Sequence, residues 1–149
     1  MKTYTEEVGN KLNELLEKTY DAEKGFKKAA ENVDNIPLKS YFENKAQERY
    51  DFGHELKTEI KAFGQDVDKG GSITGSAHRA WMDVKSFFSA DNEESMLEEA
   101  IRGEKASVDE YQDVLKETSL PSSTASILSN QMNKIQGGLT KIKRLEDLN

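Results

Sequence analysis

Two glutamates, Glu23 and Glu104, lie in segments whose hydrophobic residues recur at intervals of three and four. This spacing places Glu104 near the middle of the apolar stripe of one amphipathic helix and Glu23 on the flank of the stripe of another. An isolated carboxylate is costly to bury at such a position. A buried carboxylate is tolerated when it binds a metal ion or pairs with a cation. In helix bundles, inward glutamates are ligands of dinuclear metal centres. The first hypothesis to test is therefore a metal site.

A dinuclear carboxylate centre needs one inward glutamate on each of two helices and an inward Glu-x-x-His on each of the other two. Glu23 and Glu104 suit the two lone positions. The ligand-like pair Asp51 and His54 does not suit the others, because at about 100° per residue it lies opposite the apolar face of its helix. The apolar face of the last helical segment offers Gln131, Met132, Ile135 and Gly138, with no histidine or carboxylate near its middle. We expect no metal cofactor.

Arg49 provides an alternative partner for the inward glutamates. It and Phe52 are the inward positions nearest the middle of the second helical segment. A guanidinium group is permanently charged, and its planar fork matches a carboxylate. We predict a polar cluster in the core, consisting of Glu23, Arg49, Glu104 and Gln131.

Hydrophobic residues follow helical spacing along most of the chain, and no useful stretch alternates with the period of two typical of strands. The pattern predicts helices at about 5–33, 37–63, 76–88, 92–117 and 121–146. Gly64 is expected to end the second helix. Gly137 and Gly138 are expected to weaken the last by about 1 kcal/mol each relative to alanine. The predicted fold is all-α, in a single four-helix-bundle domain over residues 1–149.

The two halves of the chain share a short repeat. Leu16-Glu17 and Ala22-Glu23-Lys24 align at one constant offset with Leu97-Glu98 and Gly103-Glu104-Lys105. The next loops, Asn35-Ile36-Pro37 and Ser119-Leu120-Pro121, each have a capping residue, an apolar residue and a proline. The halves are predicted to be related helical hairpins. The crossover between them, at 64–92, is long enough to span the length of a bundle.

One run in the crossover and two flanking motifs resemble a known family. The run is Gly70-Gly71-Ser72-Ile73-Thr74-Gly75-Ser76-Ala77-His78-Arg79-Ala80-Trp81-Met82-Asp83-Val84-Lys85, and the motifs are Asp21-Ala22-Glu23-Lys24-Gly25 and Arg102-Gly103-Glu104-Lys105. Over nearly its whole length the chain resembles a bacterial family of uncharacterised ferritin-like four-helix-bundle proteins. The resemblance implies a ferritin-like antiparallel bundle, with a long crossover carrying a short helix between helices 2 and 3. It implies no established activity, because the function of that family is unknown.

Composition restricts the classes of partner. The chain has 28 acidic and 21 basic residues, a net charge of −7 and no cysteine. Nucleic acid and anionic membranes are therefore poor partners, and thiol catalysis and disulfides are excluded. No stretch approaches the roughly 18 apolar residues of a membrane span, and the first residues lack the apolar core of a signal peptide. A cytoplasmic location is expected.

We expect a non-enzymatic bundle that acts as an interaction or stress-associated protein. One alternative is a metal-binding oxidoreductase that holds iron or manganese at an atypical carboxylate site, with ligands among Glu23, Glu104, Glu48 and Glu55. A second alternative is a homo-oligomeric scaffold that uses a crossover surface, consisting of His78, Arg79 and Trp81. Those three residues are also explained by packing of the crossover onto the bundle, with His78 and Arg79 at the start of its short helix.

Overall fold

A computed structural model describes residues 4–67, 93–117, 119–143 and 147, and every helix or strand assigned over the first three ranges is an α-helix. The helices are α1 (Tyr4–Glu31), α2 (Ile36–Ala62), α3 (Glu93–Glu117) and α4 (Ser122–Lys141). The predicted all-α class is confirmed. The short helix predicted at 76–88 lies outside the described residues, and so does the crossover surface of His78, Arg79 and Trp81. None of the four described helices is long and apolar enough to cross a membrane.

The four helices form two antiparallel hairpins. In the first, the side-chain amide of Asn13 on α1 donates a hydrogen bond of 2.9 Å to the carbonyl of Asp66, just after α2. The start of α3 lies beside the α1–α2 turn, where the Glu93 carboxylate accepts the backbone N–H groups of Asp34 and Asn35 at 3.0 and 2.8 Å. Hence α2 ends at one end of the bundle and α3 begins at the other, which is the connectivity predicted for the two hairpins.

The two proline-containing loops cap their helices differently. Asn35 is the N-cap of α2, and its side-chain oxygen accepts the backbone N–H three residues on at 2.9 Å. The N-cap of α4 is Pro121, with φ of −59° and ψ of 151°, and no side chain of the described residues caps this helix. The prediction that Ser119 caps α4 is therefore wrong. Because Pro121 is not helical, α4 begins at Ser122, and Ser119 lies too far from the first turn to reach its N–H groups.

The end of α2 uses the conformational freedom of a glycine. Gly64 has φ of +72°, in the left-handed region that favours glycine. Its N–H donates to the carbonyl of Lys61 at 2.9 Å, and the N–H of Gln65 donates to Ile60 at 3.2 Å. These paired bonds satisfy the last carbonyls of the helix, as in a Schellman motif. Gly64 therefore stops α2 where the sequence predicts.

Buried apolar side chains form two clusters, one toward each end of the bundle. The first apolar cluster lies at the α1–α2 turn and contains Ala22, Phe26, Ala29, Ala30, Val33, Leu38, Phe42, Ala46, Met96, Leu97 and Ala100. The second apolar cluster contains Val8, Leu12, Leu15, Leu16, Phe52, Leu56, Ile60, Val108, Tyr111, Val114, Leu128 and Ile135. On α1, α2 and α3 the residues between the two clusters are largely polar. The candidate site lies in that interval.

Candidate functional site

Arg49 on α2 and Glu104 on α3 meet in the interval between the apolar clusters. Their side chains are 2 % and 1 % exposed. One guanidinium nitrogen, Nη2, contacts Oε1 of the carboxylate, while Nη1 lies 3.4 Å from Oε2. Two guanidinium nitrogens therefore face two carboxylate oxygens, the arrangement in which an arginine–carboxylate pair is strongest. The structure brings together these two residues of the predicted polar cluster.

Two aromatic rings lie near the guanidinium group. Its central carbon lies 5.7 Å from the ring centroid of Phe26, in the first apolar cluster, and 5.8 Å from that of Phe52, in the second. The hydroxyl of Ser107 on α3 lies 3.5 Å from Nη2. Cations are attracted to the faces of such rings. Arg49 therefore contacts both halves of the core.

Arg49 remains charged in this setting. Burial disfavours the charged guanidinium, but the negative charge of Glu104, with smaller contributions from Tyr111 and Glu48, raises the pKa of Arg49 above its ordinary value. An arginine without a partner at this depth would carry a large desolvation penalty. Glu104 is therefore the counter-ion that offsets the desolvation penalty of Arg49.

Lys45 and Glu48, one turn or less before Arg49 on α2, complete a group that we call the central ion cluster: Lys45, Glu48, Arg49 and Glu104. The Lys45 ammonium lies 3.6 Å from Oε2 of Glu104 and 3.5 Å from Oε1 of Glu48. The same Glu48 oxygen accepts a hydrogen bond from Nη1 of Arg49 at 3.1 Å. Two cations and two carboxylates thus contact one another in the bundle centre.

Lys45 is the member of the cluster that sequence reasoning missed. It is only 8 % exposed. A signal for its burial was present, because it belongs to a series on α2 with alternating spacings of four and three, namely Leu38, Phe42, Lys45, Arg49, Phe52 and Leu56. This is the repeat of an inward helix face. Burial is not expected for a lysine on such a face, because its long side chain usually carries the charge out to water.

Glu23 does not join the central ion cluster, contrary to prediction. Its side chain is 15 % exposed, and its carboxylate pairs with Lys27 at 2.9 Å, one turn further along α1. The residue lines a groove of about 450 Å³ between α1 and α2, together with Tyr50 and other side chains. Because Glu23 lies on the flank of the apolar stripe, a lysine at i+4 on the outer surface draws its carboxylate outward.

Gln131 is buried as expected, but its contacts belong to a separate network. Its side-chain oxygen accepts a hydrogen bond of 2.6 Å from the hydroxyl of Tyr111. Its amide nitrogen donates to the backbone carbonyl of Phe52 at 3.3 Å and to the carboxylate of Glu55 at 3.0 Å. Both flanking residues on its face of α4, Leu128 and Ile135, belong to the second apolar cluster. Gln131 therefore lies on that side of the central ion cluster and links α2, α3 and α4.

Two tyrosines adjoin the central ion cluster. The ring of Tyr41 lies 5.9 Å from the Lys45 ammonium. Burial, with the nearby negative charge of Glu104, raises the pKa of Tyr41 well above its ordinary value, against an opposing effect of Arg49. Burial likewise raises the pKa of Tyr111, against an opposing effect of Arg49. Both phenols are therefore held in the neutral form.

Helix α1 contributes buried polar residues that the sequence did not predict: Glu17, Thr19 and Asp21. The Thr19 hydroxyl donates to the backbone carbonyl of Leu15 at 2.7 Å, one turn earlier. Glu17 and Asp21 each stand next to a residue of the apolar stripe. The repeat does not predict the burial of Glu17, because its counterpart in the second half, Glu98, is exposed.

The residues present do not fit a ferritin-type dinuclear metal centre. Glu104 is inward on α3, but it contacts Arg49 and Lys45. Asp51 and His54 on α2 are both exposed, as predicted, and the His54 ring packs edge-on against Tyr50. Over the described ranges, no three histidine, aspartate or glutamate side chains are placed to share a metal ion. The central position of the bundle has cationic side chains where the metal-binding pattern requires ligands.

Comparisons with known proteins agree with the fold and assign no activity. A family model described as a domain of unknown function (DUF2383) matches residues 7–117. A search of curated proteins finds no match. The chain is similar in structure to a protein solved under the description "ferritin like, diiron-carboxylate proteins from Bacillus anthracis str. Ames". The TM-score is 0.62 at 19% sequence identity, over 94% of this chain and 90% of that one. At this identity the likeness establishes the ferritin-like fold alone.

Proposed function

Because the chain belongs to the DUF2383 family, a domain of unknown function, and has a ferritin-like fold, we propose that it is a non-enzymatic bundle acting as an interaction or stress-associated protein. One observation carries the non-enzymatic part of this proposal. The centre of the bundle is taken by the buried pair of Arg49 and Glu104, with Lys45 beside it. The association with stress rests on the fold.

The charges of the central ion cluster support this proposal. A metal oxidase needs carboxylates free to bind the metal and an open coordination position for oxygen or substrate. Here the carboxylate of Glu104 contacts both Lys45 and Arg49. A divalent ion placed beside these cations would be repelled, and more strongly in a dry interior than in water. The proposal thus assigns the cluster to the helix register of the bundle.

The proposal is tested by metal content and by reaction with iron. Protein purified from cells grown with added iron and manganese is analysed for both elements. The metal-free protein is then titrated with Fe²⁺ under anaerobic conditions and exposed to oxygen, with absorbance used to follow formation of ferric ion. We expect substoichiometric metal and no oxidation above the rate in buffer.

Stoichiometric metal together with catalysed oxidation of Fe²⁺ would overturn this proposal. It would favour the alternative of an oxidoreductase with an atypical carboxylate site. Of the four alternative ligands, Glu48 and Glu104 both contact Lys45, whereas Glu23 pairs with Lys27 and Glu55 bonds to Gln131. Glu48→Gln and Glu104→Gln would then be expected to remove the metal, and Glu23→Gln to leave it in place.

A further inference from the structure

We infer that Lys45 and Arg49 take the place of the metal pair in this bundle, and that their charges, more than a lack of carboxylates, keep divalent cations out. The inference rests on the proposed function, since it gives the physical reason why this ferritin-like centre binds no metal. It also makes a separate claim. The carboxylates of Glu48 and Glu104 form a latent divalent-cation site that opens when Lys45 is replaced by a residue without its positive charge.

The ammonium of Lys45 lies between carboxylates of two helices. In a dinuclear bundle, the metals lie among carboxylates that project inward from facing helices. The Lys45 ammonium occupies that kind of position, within 3.5 Å of Glu48 on its own helix and 3.6 Å of Glu104 on α3. Lys45 and Glu48 are also spaced i, i+3 on α2, the spacing of the Glu-x-x-His pair. A positive charge is thus held by carboxylates of two helices.

The neighbouring helix leaves room for this lysine. At Gly138 on α4, a Cβ atom would lie 2.7 Å from the Lys45 ammonium nitrogen. This is closer than Cβ atoms approach neighbouring atoms in real structures, so any side chain at position 138 would displace the lysine. At position 138 the inward face of α4 has no side chain, and the ammonium lies beside the backbone there. The position of the Lys45 ammonium therefore depends on residues of α2, α3 and α4.

The carboxylates of Glu48 and Glu104 are compensated by the charges of Lys45 and Arg49. Glu104 is 1 % exposed, and a carboxylate at that depth needs compensation. When Lys45 is replaced by an uncharged residue, Glu48 and Glu104 have Arg49 alone as a cationic neighbour within the cluster. The space of one ammonium group then lies between two carboxylates. Hard divalent ions such as Mn²⁺ prefer carboxylate and water oxygen ligands, which this space offers.

The test is Mn²⁺ binding to Lys45→Glu, measured by equilibrium dialysis with the free ion detected by electron paramagnetic resonance. This substitution removes the cation and adds a third carboxylate. The matched control is Lys57→Glu, which changes the charge of α2 equally but lies outside the cluster, with its ammonium 5.2 Å from the Tyr20 ring. We expect Lys45→Glu to bind one Mn²⁺ per chain at least about tenfold more tightly than wild type or the control.

A folded Lys45→Glu, verified by circular dichroism, that binds Mn²⁺ no better than Lys57→Glu would overturn the inference. If Lys45→Glu does not fold without metal, Lys45→Gln decides the question, because it removes the charge and keeps most of the side-chain length. Thermal stabilisation of Lys45→Gln by Mn²⁺, absent in wild type, supports the inference, and no stabilisation overturns it. Stoichiometric metal bound to wild type would also overturn the inference, and catalysed oxidation of Fe²⁺ by that protein would in addition overturn the proposed function.

Discussion

Arg49 and Glu104 depend on each other for charge compensation. Breaking a buried ion pair from one side leaves the other charge uncompensated, which usually costs more than the pair contributes when intact. Lys45, 3.6 Å from Glu104, offsets part of that cost when Arg49 is removed. We predict that Arg49→Met lowers the free energy of unfolding by about 3 kcal/mol. Guanidinium denaturation at neutral pH, followed by circular dichroism, measures it.

The double variant Arg49→Met/Glu104→Leu is the control for this prediction. It removes both charges and fills the space with apolar atoms, a change that is commonly neutral or stabilising. Its stability is expected to return close to that of wild type. A double variant as unstable as Arg49→Met would contradict the charge argument and would show that the side chains are required for packing.

The buried tyrosines predict a loss of stability at high pH. Burial raises the pKa values of Tyr41 and Tyr111 above the ordinary value, which is about 10. Above that value tyrosines in the unfolded chain lose protons that the folded protein retains, so the unfolded state is favoured as pH rises. Stability is therefore expected to fall above pH of about 10. Denaturation curves measured from pH 8 to 11 test this.

Tyr111→Phe removes both the hydrogen bond to Gln131 and the hydroxyl proton that the folded protein retains at high pH, and the two losses affect stability in different pH ranges. At neutral pH it is expected to cost about 1–2 kcal/mol, because the buried oxygen of Gln131 loses its donor. Above pH of about 10 its stability should fall less steeply than that of wild type, by the contribution of one group. Tyr50→Phe, at a ring that is 49% exposed, is the control. Parallel curves for wild type and Tyr111→Phe at high pH would contradict the prediction.

Residue identity predicted part of the central ion cluster. Arg49 and Glu104 lie on the inward faces of long amphipathic helices, so periodicity alone indicated their burial. The outcome for Glu23 depended on whether Lys27 or Arg49 was nearer to its carboxylate, and helical spacing does not decide this for a residue at the edge of a stripe. Lys45 needed knowledge of α4, because the room for its ammonium comes from Gly138, on a helix distant in sequence.

At the scale of the helix, the adjacent glycines Gly137 and Gly138 on α4 differ in what faces them. Each lowers helix stability relative to alanine by about 1 kcal/mol. A Cβ at Gly137 would meet no atom within 4 Å, whereas one at Gly138 would meet Lys45. Gly137→Ala is predicted to raise the free energy of unfolding by about 1 kcal/mol. Gly138→Ala should gain less than this or lose stability. Chemical denaturation of both variants measures the difference.

The same two substitutions in a Lys45→Ala background provide the control. With the lysine side chain shortened, the obstacle to a methyl group at position 138 is gone. Gly137→Ala and Gly138→Ala are then expected to be stabilising to the same extent. A difference that persists in this background would mean that another neighbour of Gly138 disfavours alanine.

Helical periodicity predicted the presence of α1, α2, α3 and α4 but placed some ends too far along the chain. The predicted ends at 33 and 146 compare with observed ends at Glu31 and Lys141. In both cases an apolar residue beyond the helix still contacts the first apolar cluster, Val33 after α1 and Ile142 after α4. Ile142 has extended backbone angles. The apolar spacing therefore extends past the end of both helices, because these two residues still contact the core although their backbone is no longer helical.

At the scale of the whole molecule, Glu93 joins the two hairpins. One oxygen of its carboxylate, at the start of α3, accepts the backbone N–H groups of Asp34 and Asn35 in the α1–α2 turn. We predict that Glu93→Ala lowers the free energy of unfolding by about 1–2 kcal/mol, since both donors lose a charged acceptor. Glu93→Gln keeps an oxygen acceptor and should lose less. Thermal and chemical denaturation measure both variants.

Glu98→Ala, at an exposed glutamate further along α3, is the control for the removal of one negative charge. It is expected to change stability little. If Glu93→Ala and Glu98→Ala have equal effects, the contact between the hairpins contributes nothing measurable. Hydrogen exchange at the amides of Asp34 and Asn35 gives a second measurement, which should quicken in Glu93→Ala.

The ferritin-like fold of this chain has charged side chains of both signs at its centre. The similar Bacillus anthracis structure is described as diiron-carboxylate, whereas the described residues of this chain place an arginine and a lysine among the central carboxylates. Two hairpins with apolar clusters at each end form the bundle, and neither cluster requires a metal. The fold therefore constrains the chemistry of the centre weakly, and that chemistry has to be argued from the side chains present.

The close approach of Gly138 to Lys45 has a consequence for how the sequence can change during evolution. A side chain at position 138 requires the end of the Lys45 side chain to move away from its present place. A shorter residue at position 45 removes that requirement. Among related chains these two positions, distant in sequence, are therefore expected to covary.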